Sequence, residues 1–196
     1  MTDPTAIPAS WPERLKHALI PSRLYIRNKL WRERRHGEPE LRLLPFLVDR
    51  SRGAVDAGAN KGVYTEALAR LVPRVYAFEP NPKMFALLKR GRAANVEAFE
   101  IALSNAGPSA VLRVPRQRTG RYSNQGATLA ATKLDKPHLE LSVQAARLDG
   151  LGLGPVGFIK IDVEGFEQEV LEGAAGLIAR DRPVLLIEIE ERYTKR

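Results

Sequence analysis

The sequence contains no cysteine. That excludes a disulfide framework, a thiolate zinc site and any chemistry needing a cysteine nucleophile, cytosine-C5 methylation included. Histidine is scarce too. His17, His36 and His138 show no ligand spacing, and His138 is the one candidate base among them. No apolar run approaches the roughly 20 residues that cross a bilayer. The opening, MTDPTAIPASWPERLKH, lacks the apolar core of a signal peptide. A cytoplasmic protein is expected. Acids are in deficit: 31 Lys and Arg face 23 Asp and Glu, a formal net charge of +8. Such a balance points toward nucleic acid or a membrane surface, but it is unevenly spread. Residues 1–52 carry a net +5, whereas residues 158–196 carry a net −3. The rest of the basic excess lies in the middle, where Arg113, Arg116, Arg118 and Arg121 have no acid among them.

At 196 residues with 44% hydrophobic content, the chain is long enough for one domain with a real core. Its central signal is Val55-Asp56-Ala57-Gly58-Ala59-Asn60-Lys61-Gly62, followed by Val75-Tyr76-Ala77-Phe78-Glu79-Pro80. The first piece reads as a buried strand, a glycine loop and a helix start. Gly58 and Gly62 allow a ligand close to the backbone. The second is an apolar strand ending in a carboxylate. Parallel neighbours would place Asp56, the loop and Glu79 at one carboxyl edge. Nucleosides bind at that edge in doubly wound folds, with an acid about 20 residues past the loop on the ribose.

The loop pattern discriminates between cofactors. A dinucleotide fingerprint is G-x-G-x-x-G around a pyrophosphate. Here Asp56 replaces the first glycine. A carboxylate repels a pyrophosphate and attracts an ammonium, which favours S-adenosylmethionine over NAD. In this reading Asp56 lies near the ammonium, Asn60 shapes the loop or meets the methionine part, and Glu79 accepts both ribose hydroxyls. The plain alternatives are a helix cap for Asp56 and a tight turn for the glycines.

A third stretch, Phe158 to Glu167, is a strand ending in acids and running into a helix. Together, VDAGANKG, FEPNP, IALSN at Ile101 to Asn105, IKIDVEGFE and VLLIEIE at Val184 to Glu190 resemble the FkbM family of S-adenosylmethionine-dependent methyltransferases. The resemblance covers about residues 45–193. It implies an α/β fold of class I type: a Rossmann-like, doubly wound, mainly parallel sheet with helices on both faces and an inserted β-hairpin. It implies an adenine contact at Ile101 and Ala102. Class I enzymes end with a sixth and a seventh strand, whereas this sequence stops just past the fifth, so a chain without those C-terminal strands and with one open sheet edge is expected.

Asp162 falls at the end of the fourth strand, where the methyl group should be. A carboxylate there can act as base or orient the acceptor, or bind a divalent metal, with Glu164 and Glu188 completing the set. Lys160, on the face opposite Ile159 and Ile161, is expected to pair with a nearby carboxylate. The expected activity is O-methylation of a hydroxyl on a sugar, glycan or secondary metabolite. A nucleic-acid methyltransferase is the alternative prompted by charge. It is disfavoured because base N-methylation usually uses an Asn/Asp-Pro-Pro-aromatic motif where this chain has Asp162-Val163-Glu164-Gly165. A truncated cofactor-binding module is the third reading.

Residues 1–44 read as a basic helical arm, in two helical pieces around Pro21. It is expected to lid the cofactor pocket or pack on the sheet, with peripheral membrane contact as the alternative. A further helix is predicted over 40–49 and others over 63–71, 82–92 and 166–179. A strand is predicted over 96–103, and a hairpin from 110–114 and 139–145. Between the hairpin arms lies a polar insert, residues 115–138, with Arg118, Arg121 and Asn124 as candidate acceptor contacts. Met84 is read as core, with a contact to the adenine as the alternative. Gly58→Val is expected to block the cofactor while leaving the chain folded.

Overall fold

The structure is a computed structural model and describes residues 7, 21–117, 122, 126–130 and 137–189. Helix α1 (Ser22–His36) leads through a 3-10 turn (Pro39–Arg42) and a single helical turn, α2 (Leu44–Leu47), into strand β1 (Gly53–Ala57). The helix predicted over 40–49 is therefore broken. Pro45 lacks an N–H and can stand only in a first turn, so the chain restarts there. Arg42 donates to the carbonyls of Arg34 and Arg35 at 2.6 and 3.0 Å, capping the end of α1.

After β1 come α3 (Val63–Ala69), β2 (Val75–Phe78), α4 (Pro82–Gly91) and β3 (Val96–Phe99). Asn81 caps α4 with its side-chain oxygen on the Lys83 and Met84 amides, and Pro82 takes the first helical position, as Asn-Pro predicts. Two further strands, β7 (Val156–Ile161) and β8 (Val184–Ile187), complete the main sheet. Its order is β3-β2-β1-β7-β8, and every neighbouring pair is parallel. The order reverses between β1 and β7, which is the switch point where such sheets open a crevice.

Alternation along the buried strands sorts the core into two layers. Ala54, Val75, Ala77 and Phe158 face a layer built with Leu30 of α1, Leu68 of α3 and Leu88 of α4. Val55, Phe78, Ile159 and Ile161 face the other layer, built with Val170 and Leu177. Helix α1 thus packs through Ile26 and Leu30 while Leu24 and Trp31 stay exposed. Among the described residues no helix is long and apolar enough to cross a membrane.

The strand predicted over 96–103 divides. β3 ends at Phe99, and Ala102–Leu103 form β4 in a second sheet of order β4-β6-β5. β5 (Ser109–Pro115) and β6 (His138–Ala146) make the expected antiparallel hairpin, while β4 joins β6 in parallel. Cross-strand pairing places Arg113 opposite Glu140, and the two form a 3.0 Å ion pair. That arginine does find an acid, one that lies 27 residues away. The helix predicted over 166–179 also breaks. Ala174 leaves helical geometry between α5 (Glu167–Gly173) and α6 (Ala175–Asp181), with φ −111° and ψ 4°. The bend lets Gly173 pass β4, where a Cβ would collide with the Ser104 carbonyl.

Candidate active site

Four chain segments end at the carboxyl edge of the sheet and form a small cavity. The β1 loop contributes Gly58 and Asn60, and β2 contributes Phe78, Glu79 and Pro80. Ile101, Ala102 and Leu103 follow β3, and Asp162, Val163 and Glu164 follow β7. Leu112 and the insert residues Ala127 and Leu129 close the remaining side. The enclosed space is about 70 Å³, well below the roughly 300–1,000 Å³ of ordinary ligand pockets.

The loop is held by its own backbone. The Gly58 and Ala59 amides donate to the Phe78 carbonyl at 3.0 and 2.9 Å. Gly58, Asn60 and Gly62 all have positive φ, at 80°, 50° and 90°. Glycine adopts that region freely and Asn tolerates it best among the rest. Gly58 has a second requirement: a Cβ there would collide with the Asp162 carbonyl of the neighbouring strand end. A Cβ on Gly62 would meet Leu88 at 2.7 Å, so that glycine also eases the packing of α3 on α4.

Glu79 is buried, yet it lines the cavity. Its two carboxylate oxygens accept the amides of Asn60 at 2.7 Å and Asn81 at 2.8 Å. Each oxygen keeps a further lone pair for a hydroxyl. Burial, reinforced by Asp56 and Asp162 and opposed by the two amides, pushes its carboxyl up to about 7. Stacked Phe78 and Phe99, with centroids 4.9 Å apart, support the strand ends beneath it.

Asp56 does not line the cavity. It points into the α3 layer, fully buried, and accepts the Thr65 hydroxyl at 2.6 Å. This contact is with a side chain of α3 and is not a helix cap, since α3 has no side-chain cap hydrogen bond. Its other oxygen has no partner among the described residues, and burial raises its carboxyl. Lys160 lies opposite it in register, on the same face, and is also buried. The lysine donates to Asp162 at 2.7 Å, as expected, and its ammonium lies 4.3 Å over the Tyr64 ring.

Glu164 works on the insert. With φ 56°, it accepts the Gly126 amide at 3.1 Å through its side chain and the Thr128 hydroxyl at 2.6 Å through its carbonyl. Glu164→Ala is expected to unlatch this wall. Hydrogen exchange at the Gly126 amide should then speed up about tenfold, the equivalent of about 1.4 kcal/mol, with little change in melting temperature. Unchanged exchange would show that the wall is held elsewhere.

Glu188 is positioned by its amide, which donates to the Ile161 carbonyl at 2.9 Å, and it lies beyond β8 rather than in this cavity. No group of three or more His, Asp or Glu residues able to hold a metal ion exists among the described residues. Asp162, Glu164 and Glu188 are therefore not gathered into a metal centre. His138 stands 3.5 Å from Glu140 on the hairpin and does not line this cavity, and Met84 is core. Arg118, Arg121 and Asn124 lie outside the described residues. Sequence reasoning missed Asn81, whose amide orients Glu79, and the Ala127–Leu129 wall. The FEPNP block held the first signal; no local pattern marks the second.

Comparisons with known proteins identify the family. The model of the methyltransferase FkbM domain matches residues 56–196. A methyltransferase of Beauveria bassiana, named methyltransferase 1, is 31% identical over 61% of this chain and 57% of its own length. The methyltransferase sdnD of Sordaria araneosa is 28% identical, over 66% of this chain and 60% of its own. The chain thus spans less than two thirds of the length of these relatives. The crystal structure of an FkbM methyltransferase from Methylobacillus flagellatus superposes with a TM-score of 0.49 at 20% identity, covering 74% of this chain and 34% of that one. The match over most of the chain makes this protein a member of the FkbM methyltransferase domain family.

Proposed function

We propose that the protein is an S-adenosylmethionine-dependent O-methyltransferase acting on a hydroxyl of a sugar, glycan or secondary metabolite. One observation carries the cofactor: among the described residues lining the cavity, every charged side chain is a carboxylate, namely Glu79, Asp162 and Glu164. Among the described lining residues no lysine or arginine is present to meet a pyrophosphate, and a cationic nucleoside suits that lining. When bound, S-adenosylmethionine supplies a methyl group on a positively charged sulfur that leaves as a neutral thioether, while the acceptor hydroxyl loses its proton. Glu79 would hold the ribose diol. Gly58 and Asn60 would shape the floor, and Ile101 and Ala102 would face the base. Asp162, partly exposed at the end of β7, would orient the hydroxyl or take its proton; Lys160 holds its carboxylate in place.

Calorimetric titration tests this reading. S-adenosylmethionine and S-adenosylhomocysteine should bind and NAD should not; the reverse would overturn it. Asp162→Asn should lower turnover by about 10²–10⁴-fold with little change in cofactor affinity. Full activity in that variant would remove Asp162 from the chemistry.

A further inference from the structure

A second cavity, of about 490 Å³, opens on the side of the sheet toward which Lys160 points. This volume is within the roughly 300–1,000 Å³ range of small-molecule sites. Its floor is made by two buried side chains, Tyr64 and Lys160. Glu38 forms one wall, and Glu40 and Glu188 stand at the exposed rim.

The charges in this space do not balance. Three carboxylates share it with one cation, and that cation already donates to Asp162 at 2.7 Å. One oxygen of Glu38 is buried without a hydrogen-bond partner among the described residues. An orphaned buried acceptor is costly and is met by ordered water or by a bound donor. Burial, and then the charge of Asp162, raise the Glu188 carboxyl; burial, and then Glu38, raise the Tyr64 phenol.

The second cavity also adjoins the first at a defined point. Asp162 lines the cavity proposed for the cofactor, and Lys160 lines this one. Their ion pair joins the two linings. A molecule held against Tyr64 and Lys160 is next to the carboxylate assigned to the acceptor hydroxyl.

We infer that this second cavity binds the methyl acceptor, and that the acceptor is a hydroxyl compound bearing a protonated amine, such as an amino sugar or an amino alcohol. The inference rests on the reading of the first cavity as the S-adenosylmethionine site. The ammonium would lie between Glu38 and Glu188 and supply the donor that the Glu38 oxygen lacks. A phosphorylated or carboxylated acceptor would face three carboxylates, with the lining cation already engaged.

Amide NMR spectra of the chain saturated with S-adenosylhomocysteine provide the test, with glucosamine, ethanolamine, glucose and glucose 6-phosphate as probes at pH 7. Both amines should move the amides of Glu38, Tyr64, Lys160 and Glu188 in a saturable way. Affinity should fall about tenfold or more in Glu38→Gln and in Glu188→Gln, with spectra that otherwise remain those of the folded chain. Glucose 6-phosphate should leave these amides unmoved. No saturable response to either amine, an equal response to the phosphate, or unchanged affinity in both variants would overturn the inference. Saturation by S-adenosylhomocysteine is read separately at the Gly58, Asn60 and Glu79 amides. Silence there would refute the reading of the first cavity, while the amine titration of the bare chain would still report on the second.

Discussion

Replacing Glu79 by alanine is expected to weaken S-adenosylmethionine binding by about 100-fold or more. Two losses combine. The ribose hydroxyls lose a charged acceptor, and the amides of Asn60 and Asn81 lose the oxygens that now receive them. Leaving a buried donor unpaired costs about 1–3 kcal/mol, and each 1.4 kcal/mol is tenfold in affinity. The loop that forms the cavity floor is therefore loosened by the same change. Glu79→Gln, which keeps one carbonyl oxygen, should fall between. Calorimetry at pH 8 measures both; unchanged affinity in Glu79→Ala would remove the ribose assignment.

The same carboxyl sets a pH dependence. Its value near 7 in the fold exceeds the ordinary 4.5, so the native chain holds a proton there that the unfolded chain has released. The stability from this proton is complete below about pH 4.5 and is lost as pH rises through about 7. Binding runs the other way. Hydroxyl donors and a cationic ligand favour the carboxylate, so affinity should climb from pH 6 to 8 and level off above. Glu79→Gln should flatten the curve, and a slope unchanged in that variant would assign the titration to another group.

Gly58→Val is the second large effect, and its target is the fold as well as the ligand. The sequence suggests that the added side chain merely occupies ligand space. The structure shows that it would collide with the Asp162 carbonyl and oppose a φ of 80°. Strained φ alone costs about 1–3 kcal/mol, and the clash forces the ends of β1 and β7 apart where the Asp162 amide donates to Ala57 at 3.0 Å. The expected result is a melting temperature lowered by about 10 °C or more, together with loss of cofactor binding. A variant that melts normally yet fails to bind would restore the simpler steric reading.

Much of the fold was legible because the signals were local. Apolar runs ending in Glu79 and Asp162 marked strands, and Asn81-Pro82 marked a helix start. Elements decided by distant partners were not legible. Ala102 and Leu103 leave the main sheet because Ala145 and Ala146 offer them another. The helix breaks at Ala174 because β4 crosses beside Gly173. The site divides in the same way. The loop and Glu79 could be placed from spacing, whereas Asp56 turned to Thr65, and Glu38 and Tyr64 came together through packing that no short motif records. Lys160 was readable because strand alternation fixes its face and Asp162 is two residues away.

The centre of the sheet has a consequence for how the chain assembles. β1 pairs with β2 on one side and with β7 on the other, and the bond between Arg52 and Val156 near that seam joins residues 104 apart in sequence. Contacts of such separation form late, because the intervening chain must be gathered first. During synthesis the glycine loop would emerge and meet β2 long before Asp162 exists to hold it from the other side. The half built from β1 to β3 can condense early, but the edge where chemistry is done takes shape only when β7 slots in beside β1. A chain holding only β1 to β3 would lack the Asp162 end of the proposed site.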